Sequence, residues 1–174
     1  MISPKQGIHS VGVKRQYCGQ LGKIANCQAG VFLAYARPHG TTLLDRRLYL
    51  PHEWVEDAAF AARRANGCIP SDRTFQTKNA LAWAMVQDVR ASQALRCRWC
   101  LVDEAFGRDT GLLDAIADLG LWYLVEVPLD PAIWLDDAAT TTPQAQFGRV
   151  LATAWTRHTL GDGATGRRIA DAVV

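Results

Sequence analysis

The sequence contains no apolar segment long enough to cross a lipid bilayer. Its longest uncharged apolar runs, such as residues 30–36, are far shorter than the roughly 20 residues that a membrane-spanning helix needs. The N-terminal stretch MISPKQGIHS also lacks the apolar core of a secretory signal peptide. We therefore expect a cytoplasmic protein that does not associate with membranes.

The sequence also lacks the excess of charge that is typical of disordered chains. Of its 174 residues, 49% are hydrophobic and 21% are charged, as in soluble globular proteins. A chain of this length fits one domain of ordinary size and can bury a sizeable core. The composition therefore predicts one folded domain.

Acidic residues are scarce in the first part of the chain. Residues 1–50 contain seven Lys or Arg and one acid, Asp45, which gives this part a net charge of +6. The remaining residues contain twelve bases and sixteen acids, a net charge of −4. The basic part is a candidate surface for a polyanion, and an ordinary solvated surface would account for the same imbalance.

The five cysteines do not form the pattern of a disulfide framework or of a zinc site. Their number is odd and their spacing irregular, which predicts reduced thiols in a chain without an export signal. Cys97 and Cys100 form a C-x-x-C pair, but neither a second pair nor suitably spaced histidines accompany it. The pair lies in a segment of strand character, whereas redox pairs typically open a helix. We expect core or strand cysteines.

Hydrophobic periodicity predicts a mixture of strands and helices. Two β-rich runs over residues 30–37 and 41–50, joined by Pro-His-Gly, predict a hairpin. Leu81, Met85 and Val89 recur at helical spacing and predict a helix over residues 78–95. Further predicted elements are short helical pieces over 52–65, a strand over 98–103, a helix over 109–119 capped by Asp109 or Thr110, a strand over 121–127, a linker over 128–146 and a basic C-terminal segment over 147–174.

The strand predicted over residues 98–103 ends in two acids, Asp103 and Glu104. In α/β units, polar groups at the carboxyl end of a strand face the crevice in which ligands bind. An acid that caps the following turn or meets solvent would produce the same pattern. Spacing alone leaves both roles open for Asp103.

Three stretches resemble the nuclease domain of insertion-sequence transposases of the DDE superfamily. They are PKQGIHSVGVKRQYCGQLGKIANCQAGVFLAYA, LLDRRLYLPHEW, and DEAFGRD with the EVP that follows it. The resemblance implies an α/β fold, a ribonuclease H-like mixed sheet flanked by helices. It also implies metal-dependent DNA cleavage and strand transfer, in which two Asp and one Glu hold two divalent ions, Mg²⁺ or Mn²⁺.

Asp103 matches the second acid of this family and is the one catalytic and metal-binding candidate. The first acid of the family lies ahead of the segment that matches SPKQGIHSVGV, and the third lies beyond the segment that matches the last residues, so this sequence has neither. Two-metal cleavage needs ions about 3.5–4 Å apart that share ligands, which one Asp does not provide. Glu104 would leave a strand from the opposite face.

The resemblance therefore predicts a single partial transposase nuclease domain over residues 1–174, with its core strands and helices in residues 1–127, an incomplete fold and no catalysis by the chain alone. A second interpretation is a non-catalytic module that binds DNA or a full-length transposase and interferes with it. In either case DNA, such as transposon ends, is the expected partner. The candidate DNA-binding residues are Lys14, Arg15, Lys23, Arg46 and Arg47.

Overall fold

The computed structural model describes residues 1–136, 139–163 and 166–173. These residues form several small sheets with helices between them, which confirms the predicted α/β class. The chain divides into two compact units, Met1–Leu124 and Val125–Val174. Within the described ranges, no helix combines the length and the apolar character that crossing a membrane requires.

The first unit contains most of the secondary structure. Its elements, with β6 at the boundary to the second unit, are β1 (Ile2–Pro4), β2 (Lys14–Cys18), β3 (Lys23–Arg37), β4 (Gly40–Tyr49), α1 (His52–Glu56), a 3-10 helix (Ala58–Phe60), α2 (Ala61–Asn66), α3 (Lys78–Ser92), β5 (Trp99–Val102), α4 (Glu104–Gly107), α5 (Thr110–Asp118) and β6 (Trp122–Val125).

Strand β3 is the centre of a four-stranded antiparallel sheet. Ala29 has a partner on each side, Ile2 of β1 and Tyr49 of β4, so β1 and β4 lie on opposite edges of β3. Cys27 likewise lies between Pro4 of β1 and Lys14 of β2. Strands β2 and β4 therefore follow one another along one edge of β3, and β1 occupies part of the other edge.

One face of this sheet packs against helix α3. Val31 of β3 forms a buried cluster with Leu81 and Met85, and Phe106 packs at its border. The helix begins where the Thr77 side chain accepts a hydrogen bond from the Ala80 N–H at 3.1 Å. The apolar stripe predicted from the spacing of Leu81 and Met85 is thus the face that contacts the sheet.

A second buried cluster lies between α3, α5 and the strands on either side of α5. Leu112, Ile116 and Leu121 form its centre, and Cys100 and Val102 of β5 pack against it. Strand β5 pairs with β6 in a separate two-stranded sheet. The strand, helix, strand order predicted over residues 98–127 is confirmed, with each strand shorter than predicted.

The opposite face of the β3 sheet carries large exposed side chains. The register places Tyr17 and Leu48 on the same face as Phe32, because their partners on β3 are the even-numbered Ile24 and Gly30. Tyr17 is 62% exposed and Phe32 44% exposed. We call this the outer face of the sheet.

The hairpin predicted over residues 30–50 is confirmed as β3 and β4, although β3 begins earlier, at Lys23. The long helix ends at Ser92 rather than at residue 95. Gln93 has a left-handed conformation with φ of 53°, which closes the helix. Glutamine seldom adopts that conformation, so no residue pattern marks this end of the helix.

The second unit consists of two hairpins and a short helix, α6. Its elements are β7 (Ile133–Asp136), β8 (Ala139–Thr141), α6 (Pro143–Phe147), a 3-10 helix (Ala152–Ala154), β9 (Trp155–Gly163) and β10 (Gly166–Val173). Strands β9 and β10 are antiparallel, and Arg157 pairs with Asp171 across them at 3.0 Å. The residues for which a linker was predicted, 128–146, contain β7, β8 and most of α6.

Candidate functional site

Asp103 lies directly after strand β5 and is the N-cap of helix α4. Its Oδ1 accepts a hydrogen bond from the backbone N–H of Ala105 at 3.0 Å, and the residue is exposed. The capping role left open by the sequence is therefore present. The side chain also has the exposed position that a metal ligand needs, so the cap does not exclude a ligand role.

Glu104 follows Asp103 in the sequence, and its charge is neutralised by Arg108, four residues later. Arg108 donates to Oε1 of Glu104 at 3.1 Å, across one turn of α4. Among the residues that the structure describes, no ion pair involves Asp103. In the described part of the chain, no base therefore neutralises the carboxylate of Asp103 at the end of the strand.

Asp109 is the next acid along the chain after Glu104, and both oxygens of its carboxylate already accept hydrogen bonds. Oδ1 accepts from the Leu112 N–H at 3.1 Å, so Asp109 rather than Thr110, the other predicted candidate, caps α5. Oδ2 accepts from the Asn79 amide at 2.6 Å, which lowers the pKa of Asp109 below its ordinary value. The bond to Asn79 of α3 is a contact that the sequence did not predict.

The carboxylates around Asp103 do not by themselves form a divalent metal site. Mg²⁺ prefers several oxygen ligands in octahedral geometry, and two-metal cleavage needs shared carboxylates. Glu104 is paired with Arg108, and Asp109 is bonded to Asn79 and Leu112. In the described part of the chain, no group of three or more His, Cys, Asp or Glu is arranged to hold a metal ion.

Two of the five predicted DNA-binding residues have acidic partners. Lys14 pairs with Glu53 of α1 and lowers the pKa of that carboxyl. Arg47 donates to Asp45 at 3.3 Å and to Asp88 of α3 at 2.5 Å. Both residues therefore link strands to helices, and their charge is at least partly neutralised.

The other three predicted residues, Arg15, Lys23 and Arg46, are exposed. No ion pair within the described ranges involves them. Arg15 lies opposite Asn26 and Arg46 opposite Phe32, which places both on the outer face. These positions are six residues apart along β3, or roughly 20 Å along the strand. Lys23 stands at the start of β3.

A cleft beside β4 contains a further arginine that sequence analysis missed. The cleft has a volume of about 470 Å³, and Arg73 lines it together with Arg46 and Arg47. Arg73 follows a turn at Pro70, and its N–H donates to the Pro70 carbonyl at 3.2 Å. An isolated base after a turn has no periodic pattern, so only the fold brings it next to β4.

The cysteines occupy strand and core positions, as expected, with one exception. Cys18 and Cys27 are fully buried in the β2–β3 pair, and burial raises the pKa of Cys27. Cys97 and Cys100 pack against the second buried cluster, where burial raises the pKa of Cys100. Cys68 is exposed.

Residues 2–158 match the family model of the DDE superfamily endonucleases. The chain belongs to this family. No curated protein and no solved structure matches the chain. DDE superfamily endonucleases act on DNA and typically use divalent metal ions. In this DDE endonuclease chain, the described residues around Asp103 do not complete a metal site.

Proposed function

We propose that this chain is a partial nuclease domain of a DDE transposase, with a ribonuclease H-like arrangement, that binds DNA but does not cleave it alone. Three features support the fold assignment. They are the antiparallel β3–β4 pair, the helices that cover one face of the sheet, and the β5–β6 pair beyond α3. The family match supports DNA as the partner.

The observation that carries DNA binding is the pair of exposed arginines, Arg15 and Arg46, on the outer face. Arginines without an acidic partner are available to contact phosphates. Such contacts are favourable because they release counterions from DNA. Two exposed aromatic side chains, Tyr17 and Phe32, lie on the same face. The arginines can contact the phosphate backbone of DNA, and the aromatic rings can stack on the faces of bases. Because the outer face is a sheet surface and not a helix that reads base edges in a groove, the proposed binding is not sequence specific.

The proposed lack of cleavage follows from the chemistry around Asp103. One carboxylate, already bonded to the Ala105 N–H through one of its oxygens, does not hold and bridge two divalent ions. Asp103 nevertheless has the position of a metal ligand, since it is exposed at a strand end and unpaired in the part of the chain described here. A complete site requires carboxylates in addition to those near Asp103.

DNA binding is tested by titrating a labelled duplex at several salt concentrations. Each phosphate contact contributes about 0.9 to the slope of log affinity against log salt. Arg15→Ala and Arg46→Ala should each reduce that slope by about one. Arg108→Ala is the matched control, because Arg108 is exposed but paired with Glu104. Binding that is indifferent to salt, or that falls equally in the control, contradicts the proposal.

Cleavage is tested on supercoiled plasmid and on terminal-repeat DNA with Mg²⁺ and with Mn²⁺. We expect no nicking and no strand transfer by the purified chain. Metal-dependent nicking that Asp103→Asn abolishes would show that this chain completes a catalytic site. A contaminating nuclease is recognised because its activity would be the same in Asp103→Asn preparations.

A further inference from the structure

The cleft beside β4 lies at a free edge of the sheet. Arg46 of the outer face and Arg47 of the other face both line it, which places it at the edge of the strand. Strand β3 occupies the opposite edge of β4, and within the described ranges no strand pairs with this one. Residues 68–76 supply the rest of the lining together with Val11 and Leu81. The volume of about 470 Å³ is within the range of sites that hold a small molecule.

The walls of the cleft are held in place by contacts that need no ligand. The Ile69 N–H donates to the Arg64 carbonyl at 3.0 Å, which fastens one wall to the end of α2. Gly67 lies close against Val11, since a Cβ at Gly67 would be 2.6 Å from the Val11 side chain. The Gln28 side chain donates to the Val11 carbonyl at 2.6 Å and so ties this residue to β3. A site with fixed walls loses little conformational freedom when it binds.

The charge of the cleft is one-sided, because its lining includes three arginines and no acid. Arg47 pairs with Asp45 and Asp88. In the described part of the chain, no ion pair involves Arg46 or Arg73. Two guanidinium groups without an acidic partner therefore share one small cleft. A phosphate monoester carries a charge of about −1.5 to −2 at pH 7 and binds guanidinium groups through paired hydrogen bonds, so it suits this site better than a single carboxylate.

The other lining residues suit a flat ring with a polar edge. Leu48, Leu50 and Ile69 supply aliphatic surface, as in most sites for small molecules. Gln76 lines the same cleft and is half-buried. Among the residues that the structure describes, none hydrogen-bonds its side-chain amide. A glutamine amide pairs with adenine through two hydrogen bonds, to N6 and N7 of the ring. The apolar surface and the free amide thus favour an adenine ring over a bare inorganic anion.

We propose that this cleft binds an adenine nucleotide, with its phosphate between Arg46 and Arg73 and its ring against the aliphatic surface beside Gln76. The chemistry recognised is that of a nucleoside monophosphate, which is either a free nucleotide or the unpaired end of a DNA strand. Binding of the free nucleotide does not require duplex DNA and goes beyond the DNA-binding surface proposed above. Arg46 belongs to both surfaces, whereas Arg73 belongs to the cleft alone.

Calorimetric titration of the full chain with AMP tests the proposal, with adenosine and inorganic phosphate as partial ligands. AMP should bind about tenfold or more tightly than either, because each partial ligand lacks the contacts of the other half. Arg73→Ala should weaken AMP binding by about the same factor, whereas Arg15→Ala, on the outer face away from the cleft, should leave it unchanged. UMP should bind more weakly than AMP, and Gln76→Leu should remove this preference.

Cys68 reports whether the nucleotide occupies the cleft, because it lines the cleft and is the exposed one of the five cysteines. AMP at about ten times its Kd should slow maleimide labelling of Cys68 about tenfold, since only the free chain reacts. Cys68→Ser identifies the labelled residue by removing it.

A duplex that ends in an unpaired, phosphorylated adenosine distinguishes the two sources of the nucleotide. Protection of Cys68 by this duplex at lower concentration than by AMP, and not by a blunt duplex, assigns the cleft to a DNA end. Stronger protection by AMP assigns it to a free nucleotide. AMP binding in a chain that does not bind duplex DNA supports the cleft and contradicts only the DNA-binding surface. AMP that binds no more tightly than inorganic phosphate, leaves Cys68 labelling unchanged, or binds Arg73→Ala as well as the wild type would overturn the proposal.

Discussion

Asn79 donates its side-chain amide to Oδ2 of Asp109 at 2.6 Å and so joins helix α3 to the start of α5. The same carboxylate caps α5 through Leu112. Two donors favour the charged form, which is why the pKa of Asp109 lies below its ordinary value. One side chain thus links the two helices on either side of the second buried cluster.

The bond between Asn79 and Asp109 predicts a specific pH dependence. Since the folded pKa is below the unfolded value of about 3.9, the bond stabilises the fold at pH above that value and is lost as pH falls through the folded pKa. Asn79→Ala should therefore lower stability at neutral pH and approach the wild type in acid. Urea unfolding of both proteins at a series of pH values measures this, with Asn26→Ala as control. A deficit that is independent of pH would contradict it.

A second prediction is that replacing Asp103 by Ala and by Asn affects stability differently. Asp103→Ala removes the acceptor for the Ala105 N–H and should cost about 0.5–2 kcal/mol, whereas Asn caps helices as well as Asp and should be nearly neutral. Urea unfolding measures both. The Asn variant retains the cap while removing the charge, so it is the one to use in metal-binding experiments. Equal losses for Ala and Asn would show that the charge, and not the cap, stabilises this turn.

The sequence predicted those features that depend on local pattern. The spacing of Leu81 and Met85 predicted the buried face of α3, and Asp109 was one of the two residues expected to cap α5. Contacts between distant residues were missed, because Arg47 and Asp88, or Asn79 and Asp109, meet only when the sheet and helices pack. Residues 128–146 contain many Thr, Pro and Asp, a composition typical of loops, yet Thr also suits strands, and β7 and β8 form by pairing with each other.

The neighbours Arg46 and Arg47 allow a direct comparison between a proposed DNA contact and a residue that stabilises the fold. Arg46 is on the outer face, whereas Arg47 on the other face bonds Asp45 and Asp88. Arg46→Ala should weaken DNA binding and leave stability within about 0.5 kcal/mol. Arg47→Ala should lower stability by up to about 1 kcal/mol, as expected for a partly exposed ion pair.

Fluorescence anisotropy with duplex DNA and urea unfolding, performed on both variants, check this prediction. The double variant should show additive losses, because the two side chains leave opposite faces of β4 and share no partner among the residues that the structure describes. If Arg47→Ala weakens DNA binding more than Arg46→Ala at unchanged stability, then the inner face of the strand contacts DNA and the assignment to the outer face is wrong.

The last prediction concerns Trp54, which is 1% exposed and donates its indole N–H to the Val13 carbonyl at 2.8 Å. The ring also contacts Phe60 edge-on, with 5.5 Å between centroids. Trp54→Phe keeps an aromatic ring but leaves the carbonyl of the buried Val13 without this donor, which should cost about 1–3 kcal/mol. Trp122→Phe is the control, since Trp122 is 64% exposed in the same unit and should change stability by less than about 0.5 kcal/mol. Urea unfolding followed by circular dichroism compares the two variants with the wild type. Equal effects would mean that the contact between α1 and the segment before β2 contributes little to the stability of the unit.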